Sequence, residues 1–124
     1  MSKSEMEKAK RFEELWVWQQ ARELVMKTYN DFPNGSSFND YGFLNQIQRA
    51  SISIMNNIAE GFERHTEFAR FLDIAKGSCG EVRSLYYTAE DLGYIKSSIA
   101  EERRTRAKQI SAGIASLTKY LRSS

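Results

Sequence analysis

Gly77, Ser78, Cys79 and Gly80, followed by Glu81, are residue types that together suggest chemistry. Small residues around a thiol and a carboxylate suit either a loop cradling a phosphate or a turn presenting a nucleophile. A phosphate loop needs a preceding strand and the spacing G-x-x-x-x-G-K-[ST]; neither is present. A cysteine nucleophile needs a base. The one histidine, His65, is fourteen residues from Cys79, about 21 Å along a helix rising about 1.5 Å per residue. One His and one Cys also cannot build a di-iron carboxylate site or a zinc site. Glu60 and Glu81 remain as a carboxylate pair, and nothing in the sequence turns them toward each other. The residues therefore predict no enzyme, no cofactor and no metal.

The elements that carry this stretch read as helices. Leu15, Trp18, Val25, Tyr29 and Phe32 recur at helical spacing within a first helix over about 13–32. Pro33 and Asn34-Gly35 then break the chain. A second helix over about 38–60 buries Leu44, Ile47, Ser51, Ile54 and Ile58, with Ser37 and Asp40 as a capping box and Gly61 as its stop. A third helix starts near Thr66. Its row Phe68, Leu72, Ala75, Cys79, Val82, Tyr86 and Ala89 is an a/d seam that takes in the thiol, ending at Gly93. A fourth opens at Ser98 with Glu101 three residues on, and its seam is Ala100, Arg103, Ala107, Ile110, Ile114, Leu117 and Leu121. Four long helices with short connections predict an all-α, antiparallel up-down-up-down bundle. It occupies residues 12–124, behind a frayed extension at 1–11. In that register Cys79 is a core residue, and Gly77, Ser78 and Gly80 let a neighbouring helix approach, with Ala50 opposite.

Three features are left over. The first is a polar row: Gln46, Arg49, Ser53, Asn57 and Glu60 on the second helix, Ser78 and Glu81 on the third. Glu81 falls level with Gln46 or Arg49, so the row either holds a half-buried ion pair that fixes register or lines a ligand pocket. The second is apolar. Trp16 and Trp18 project about 200° apart on a helix, and Phe71, Ile74 and Leu85 widen the stripe of the third helix. Trp16, Phe71, Ile74 and Leu85 are expected at a subunit interface, or Trp16 is simply an exposed Trp. The third is charge. Residues 1–94 hold 11 Lys/Arg and 14 Asp/Glu, whereas 95–124 hold 7 and 2. Arg103, Arg104, Arg106 and Lys108 are the candidates for phosphate contacts, the alternative being an ordinary solvated helix face. No apolar run is long enough to span a membrane, and a lone cysteine fits a reducing cytoplasm.

The segments LWVWQQARELVMKTYNDFP, YGFLNQIQRASISIMNNIAEGFERHTEFARFLDIAKGS and EDLGYI resemble the four-helix bundle proteins encoded in intervening sequences of bacterial 23S ribosomal RNA genes, also called the S23 ribosomal protein family. The resemblance covers about 12–95. It implies a ring-shaped homopentamer, mostly without assigned biochemistry. A related branch, the basic accessory protein of diversity-generating retroelements, implies binding of nucleic acid and of a reverse transcriptase. Met55 stands where many relatives have Pro, and Cys79 where they have an apolar residue such as Leu. The expected function is an oligomer binding nucleic acid, RNA before DNA, through the fourth helix. The alternatives are a protein-interaction scaffold with no nucleic-acid contact, or a small-molecule site in the polar row.

Overall fold

The computed structural model describes residues 8–33 and 39–123. A 3-10 turn (Phe12–Glu14) leads into helices α1 (Trp16–Asp31), α2 (Tyr41–Arg64), α3 (Phe68–Asp91) and α4 (Ser97–Ser123). Each packs against its neighbours in the cyclic order α1, α2, α3, α4, so the four enclose one core. The antiparallel bundle agrees with the sequence reading, and its seams explain why. All seven a/d residues of α3 are buried, Cys79 among them, and so are Ile47, Ile54, Ile58, Ile110, Ile114 and Leu117. Burial pushes the Cys79 thiol up to about 12, outweighing the nearby positive charges of Arg83 and Lys76. At ordinary pH it is a small apolar filler.

Several boundaries differ from expectation. The first helix breaks at Leu15, whose backbone is extended. After that break α1 buries Val17, Trp18, Ala21, Leu24 and Thr28 rather than Val25 and Tyr29. Small residues mark this face because the neighbouring helices lie close, and a hydropathy pattern underweights Ala and Thr. Within the expected extension, the Lys10 and Arg11 amides donate to Glu14 Oε1 at 2.9 and 3.0 Å. Those donors hold the Glu14 carboxyl below its ordinary value, the Lys10 amide first. Residues 1–7 of the extension, and Ser37 of the proposed capping box, lie outside the described residues. Asp40 is itself the N-cap of α2, accepting from the Phe43 amide at 3.1 Å and from Tyr94 Oη at 2.6 Å.

Gly61 does not stop α2. The helix continues to Arg64 and closes on His65 at φ 55°, and Gly61 is instead a contact point. A Cβ there would lie 2.7 Å from Phe71 Cβ and 3.3 Å from the Phe68 carbonyl oxygen. α2 is one uninterrupted element through Met55. α3 starts at Phe68 after Glu67, not at Thr66. It ends as expected: Gly93 sits at φ 74°, its amide bonds Glu90 O, and the Tyr94 amide bonds Ala89 O at 2.8 Å, a Schellman closure.

The glycines of the opening motif behave differently from Gly61. A Cβ at Gly77 or Gly80 would meet nothing within 4 Å, so neither allows a helix to approach. The contact toward α2 falls to Ser78 alone, whose Oγ lies 2.9 Å from Ser53 Oγ. The close approach of α1 to α4 occurs at Gly113, where a Cβ would sit 2.9 Å from both Trp16 Cζ3 and Val17 Cγ1. Trp16 therefore packs on α4 and is partly buried, while Trp18 enters the core at 8% exposure. Two tryptophans about 200° apart both find cover because α1 touches α2 on one side and α4 on the other.

Candidate nucleic-acid interface

The basic residues of α4 divide into two sets. Arg103 occupies a seam position and reaches α1. Its Nε and Nη2 donate to Asp31 Oδ2 and Oδ1 at 2.7 and 2.8 Å, and its Nη1 pairs with Glu102. Tyr86 Oη donates to Asp31 Oδ2 at 2.8 Å and lies 3.2 Å from Thr28 Oγ1. The side chains of Arg103 and Asp31 are only 15% and 7% exposed. The hydrogen bond to Asp31 holds the Arg103 guanidinium above its ordinary value, against burial, and burial holds the Tyr86 phenol above its own. Arg104 pairs with Glu90 at 2.7 Å and lies 4.0 Å over the Tyr87 ring. Arg106 pairs with Glu102 at 2.9 Å and Glu23 at 3.5 Å. Arg103, Arg104 and Arg106, the expected phosphate contacts, have their guanidiniums engaged with carboxylates of this chain. Asp31 and Glu23 come from α1, Glu90 from α3 and Glu102 from α4 itself.

Lys108 is the exception. It is exposed, on the same face of α4 as Ala115, Lys119 and Arg122, and this face borders α3, which brings Asp73, Lys76, Arg83 and Tyr87. Two hollows lie in the resulting groove. One, of about 240 Å³, is lined by Arg83, Tyr87, Glu101, Arg104, Thr105 and Lys108. The other, of about 490 Å³, is lined by Asp73, Lys76, Ala115, Thr118, Lys119, Arg122 and Ser123. Among the described residues Lys76, Arg83, Lys108 and Lys119 form no ion pair, and Arg122 is paired with Asp73 at 2.7 Å. Lys76, Arg83, Lys119 and Arg122 were missed by the sequence reading. The signal was available: 76 and 83 are one heptad apart, and 108, 115, 119 and 122 follow helical spacing. They were hidden because charge was counted by segment rather than by face.

The polar row splits. Ser53, Ser78 and Asn57 are joined, Asn57 Nδ2 donating to Ser53 O at 2.8 Å and to Ser53 Oγ at 3.0 Å. Glu60 lies 3.4 Å from Arg64 at the surface. Gln46, Arg49 and Glu81 line a hollow of about 340 Å³ with Asn45, Ala50 and Ser53. Glu81 is level with Arg49 as expected, but both are exposed and no ion pair joins them. A largely buried ion pair between helices is found instead at Asp31 and Arg103, joining α1 to α4. Of the interface candidates, Trp16, Phe71 and Leu85 are partly buried, Phe71 lying between Arg64 and Arg70 at 5.4 and 5.8 Å, and Ile74 is 43% exposed. Among the described residues no helix is long and apolar enough to cross a membrane.

A family model described as 23S rRNA-intervening sequence protein matches residues 13–116. A solved structure of a protein of unknown function from the S23 ribosomal protein family of Bacteroides thetaiotaomicron superposes with a TM-score of 0.73 at 21% identity. It covers 83% of this chain and 98% of that one. None of the curated proteins matches the sequence.

Proposed function

Because the chain belongs to the family of 23S rRNA-intervening sequence proteins, and because four cations without a described carboxylate partner, Lys76, Arg83, Lys108 and Lys119, line one groove, we propose that it is a non-enzymatic homo-oligomer, a pentamer, that binds single-stranded nucleic acid between α3 and α4, RNA in preference to DNA. The observation that carries this reading is the row Lys76, Arg83, Lys108 and Lys119, none of which pairs with a described carboxylate. Tyr87, 55% exposed, adds a ring in the same groove. A cationic groove with an aromatic face suits a single strand, whose backbone it tracks and whose bases can stack. Four neutralised phosphates per subunit give a slope of log K against log salt of about −3.

The test is fluorescence anisotropy with a labelled oligoribonucleotide at low and moderate salt. Replacing Lys76, Arg83, Lys108 and Lys119 by Glu should abolish binding while the helical circular dichroism is retained. Unchanged affinity sinks the proposal. A second reading, a scaffold that binds a protein such as a reverse transcriptase and no nucleic acid, is favoured by the open face at Gly77 and Gly80 and the unpaired Arg49 and Glu81 beside it. Recovery of one protein partner after nuclease treatment would support it.

A further inference from the structure

The wider hollow at the C-terminal end of α4 contains a feature that a solvated groove does not require. Thr118 is 7% exposed, and its Oγ1 is buried with no hydrogen-bond partner among the described residues. A buried hydroxyl without a partner is disfavoured, because it has given up its hydrogen bonds to water and gained none, and such groups are uncommon in folded proteins. Thr118 lines the 490 Å³ hollow together with Lys76 from α3 and Lys119 and Arg122 from α4. Two of these three cations have no carboxylate partner. The third, Arg122, is paired with Asp73, both side chains being more than half exposed, so solvent screens the pair and it is readily exchanged.

We infer that this hollow is a phosphoryl-binding site, in which Thr118 donates its hydroxyl and Lys76, Lys119 and Arg122 supply the charge. The inference rests on the groove being a nucleic-acid interface and assigns its α4 end a specific ligand group. Ammonium groups act as point charges on phosphate. A free or terminal phosphoryl dianion neutralises both unpaired lysines, whereas a backbone phosphodiester neutralises one and offers two anionic oxygens to the Thr118 hydroxyl and the cations. Thr has two accessible χ1 wells in a helix, so its hydroxyl can turn toward an oxygen arriving from the groove. The phosphoryl group is either part of a polynucleotide backbone or carried by a free phosphate or mononucleotide.

The experiment titrates the full chain with inorganic phosphate, adenosine 5′-monophosphate and a single-stranded oligoribonucleotide, with chloride at matched ionic strength as the reference. Amide chemical shifts and the melting midpoint are followed. Phosphate should move the Lys76, Thr118 and Lys119 signals and raise the midpoint more than chloride does. Thr118→Val should weaken phosphate binding about tenfold, the loss of one charge-assisted hydrogen bond, without lowering the midpoint of the unliganded protein. Thr118→Ser should retain binding, which separates the hydroxyl from packing. Phosphate acting no differently from chloride overturns the inference, as does Thr118→Val with unchanged phosphate affinity. If Thr118→Val also weakens the oligoribonucleotide, the site takes backbone phosphate. If only phosphate and the mononucleotide are affected, it takes a small ligand. Arg83→Glu with Lys108→Glu tests the nucleic-acid reading separately. If RNA binding survives that pair but Thr118 still governs phosphate, the phosphoryl site stands and the wider groove falls.

Discussion

Asp31→Ala is the substitution from which most can be learned about how this bundle holds its register. It removes three hydrogen bonds at once, two from Arg103 and one from Tyr86. Hydrogen bonds to charged groups contribute about 1.5–3 kcal/mol each, and breaking a buried ion pair costs about 3–5 kcal/mol. Arg103 keeps Glu102, and Tyr86 stays within 3.2 Å of Thr28, so the lower end applies. We expect a loss of about 3 kcal/mol, which lowers the melting midpoint by roughly 10 °C in a domain of this size. Arg103→Met should cost a similar amount, because it leaves a carboxylate of 7% exposure with the Tyr86 hydroxyl alone. Asp31→Leu combined with Arg103→Met replaces the pair by apolar groups and should recover most of the loss, since buried pairs rarely outperform well-packed apolar substitutes. Urea denaturation of the cycle built from Asp31→Leu and Arg103→Met should therefore give a coupling energy of about 4–5 kcal/mol, two single losses of about 3 kcal/mol less a residual of about 1–2 kcal/mol in the double variant. Single effects below about 1 kcal/mol that simply add would refute the argument that this pair joins α1 to α4.

Other consequences are more local. Tyr86 is raised above its ordinary value in the fold, so the stability it contributes is complete below about pH 10 and lost as pH rises further; Tyr86→Phe should flatten that alkaline slope in urea melts. Gly77→Ala and Gly80→Ala should each stabilise the monomer by up to about 1 kcal/mol through helix propensity, whereas Gly61→Ala should destabilise it, because the Phe71 Cβ and a backbone oxygen stand in the way. A fall in light-scattering mass for the first two variants would place a subunit contact on that face. Cys79, fully buried with its thiol pushed up to about 12, should react with a thiol reagent only as fast as the bundle opens, so labelling at neutral pH should track unfolding across urea concentrations.

The fold was legible because three of the four helices carry a clear apolar period. On α3 every seam residue is buried, and on α2 the buried face was read correctly while the start, at Asp40, and the stop were not. Gly61 reads as a terminator in sequence, but its role depends on Phe71, ten residues on and across a turn, and no local pattern reveals a tertiary contact of that kind. α1 was misread in part for a related reason. Its buried row contains Ala21 and Thr28, which are buried because helices come close rather than because the residues are strongly apolar. Trp16 was assigned outward by angle alone. The angle was sound, but a helix at the corner of a four-membered ring has two covered sides, and Gly113 opens the second.

The site was harder to read because a formal charge does not say what the charge faces. Arg103, Arg104 and Arg106 look like an exposed basic cluster in a segment count, yet Asp31, Glu90 and Glu102 take them up. Arginine is the residue best suited to that use, since its planar fork satisfies a carboxylate bidentately while largely buried. Lysine loses more on burial and stays at the surface. Lys76, Lys108 and Lys119 are all exposed and unpaired among the described residues. Along the N-terminal half of α4, arginines are drawn inward to carboxylates, whereas Lys108 is left to face solvent. The excess of positive charge on α4 is therefore consumed mainly in folding near its N-terminal half. What is available to a polyanion lies farther along, where Lys119 and Arg122 meet Lys76, and it depends as much on α3 as on the helix that first drew attention.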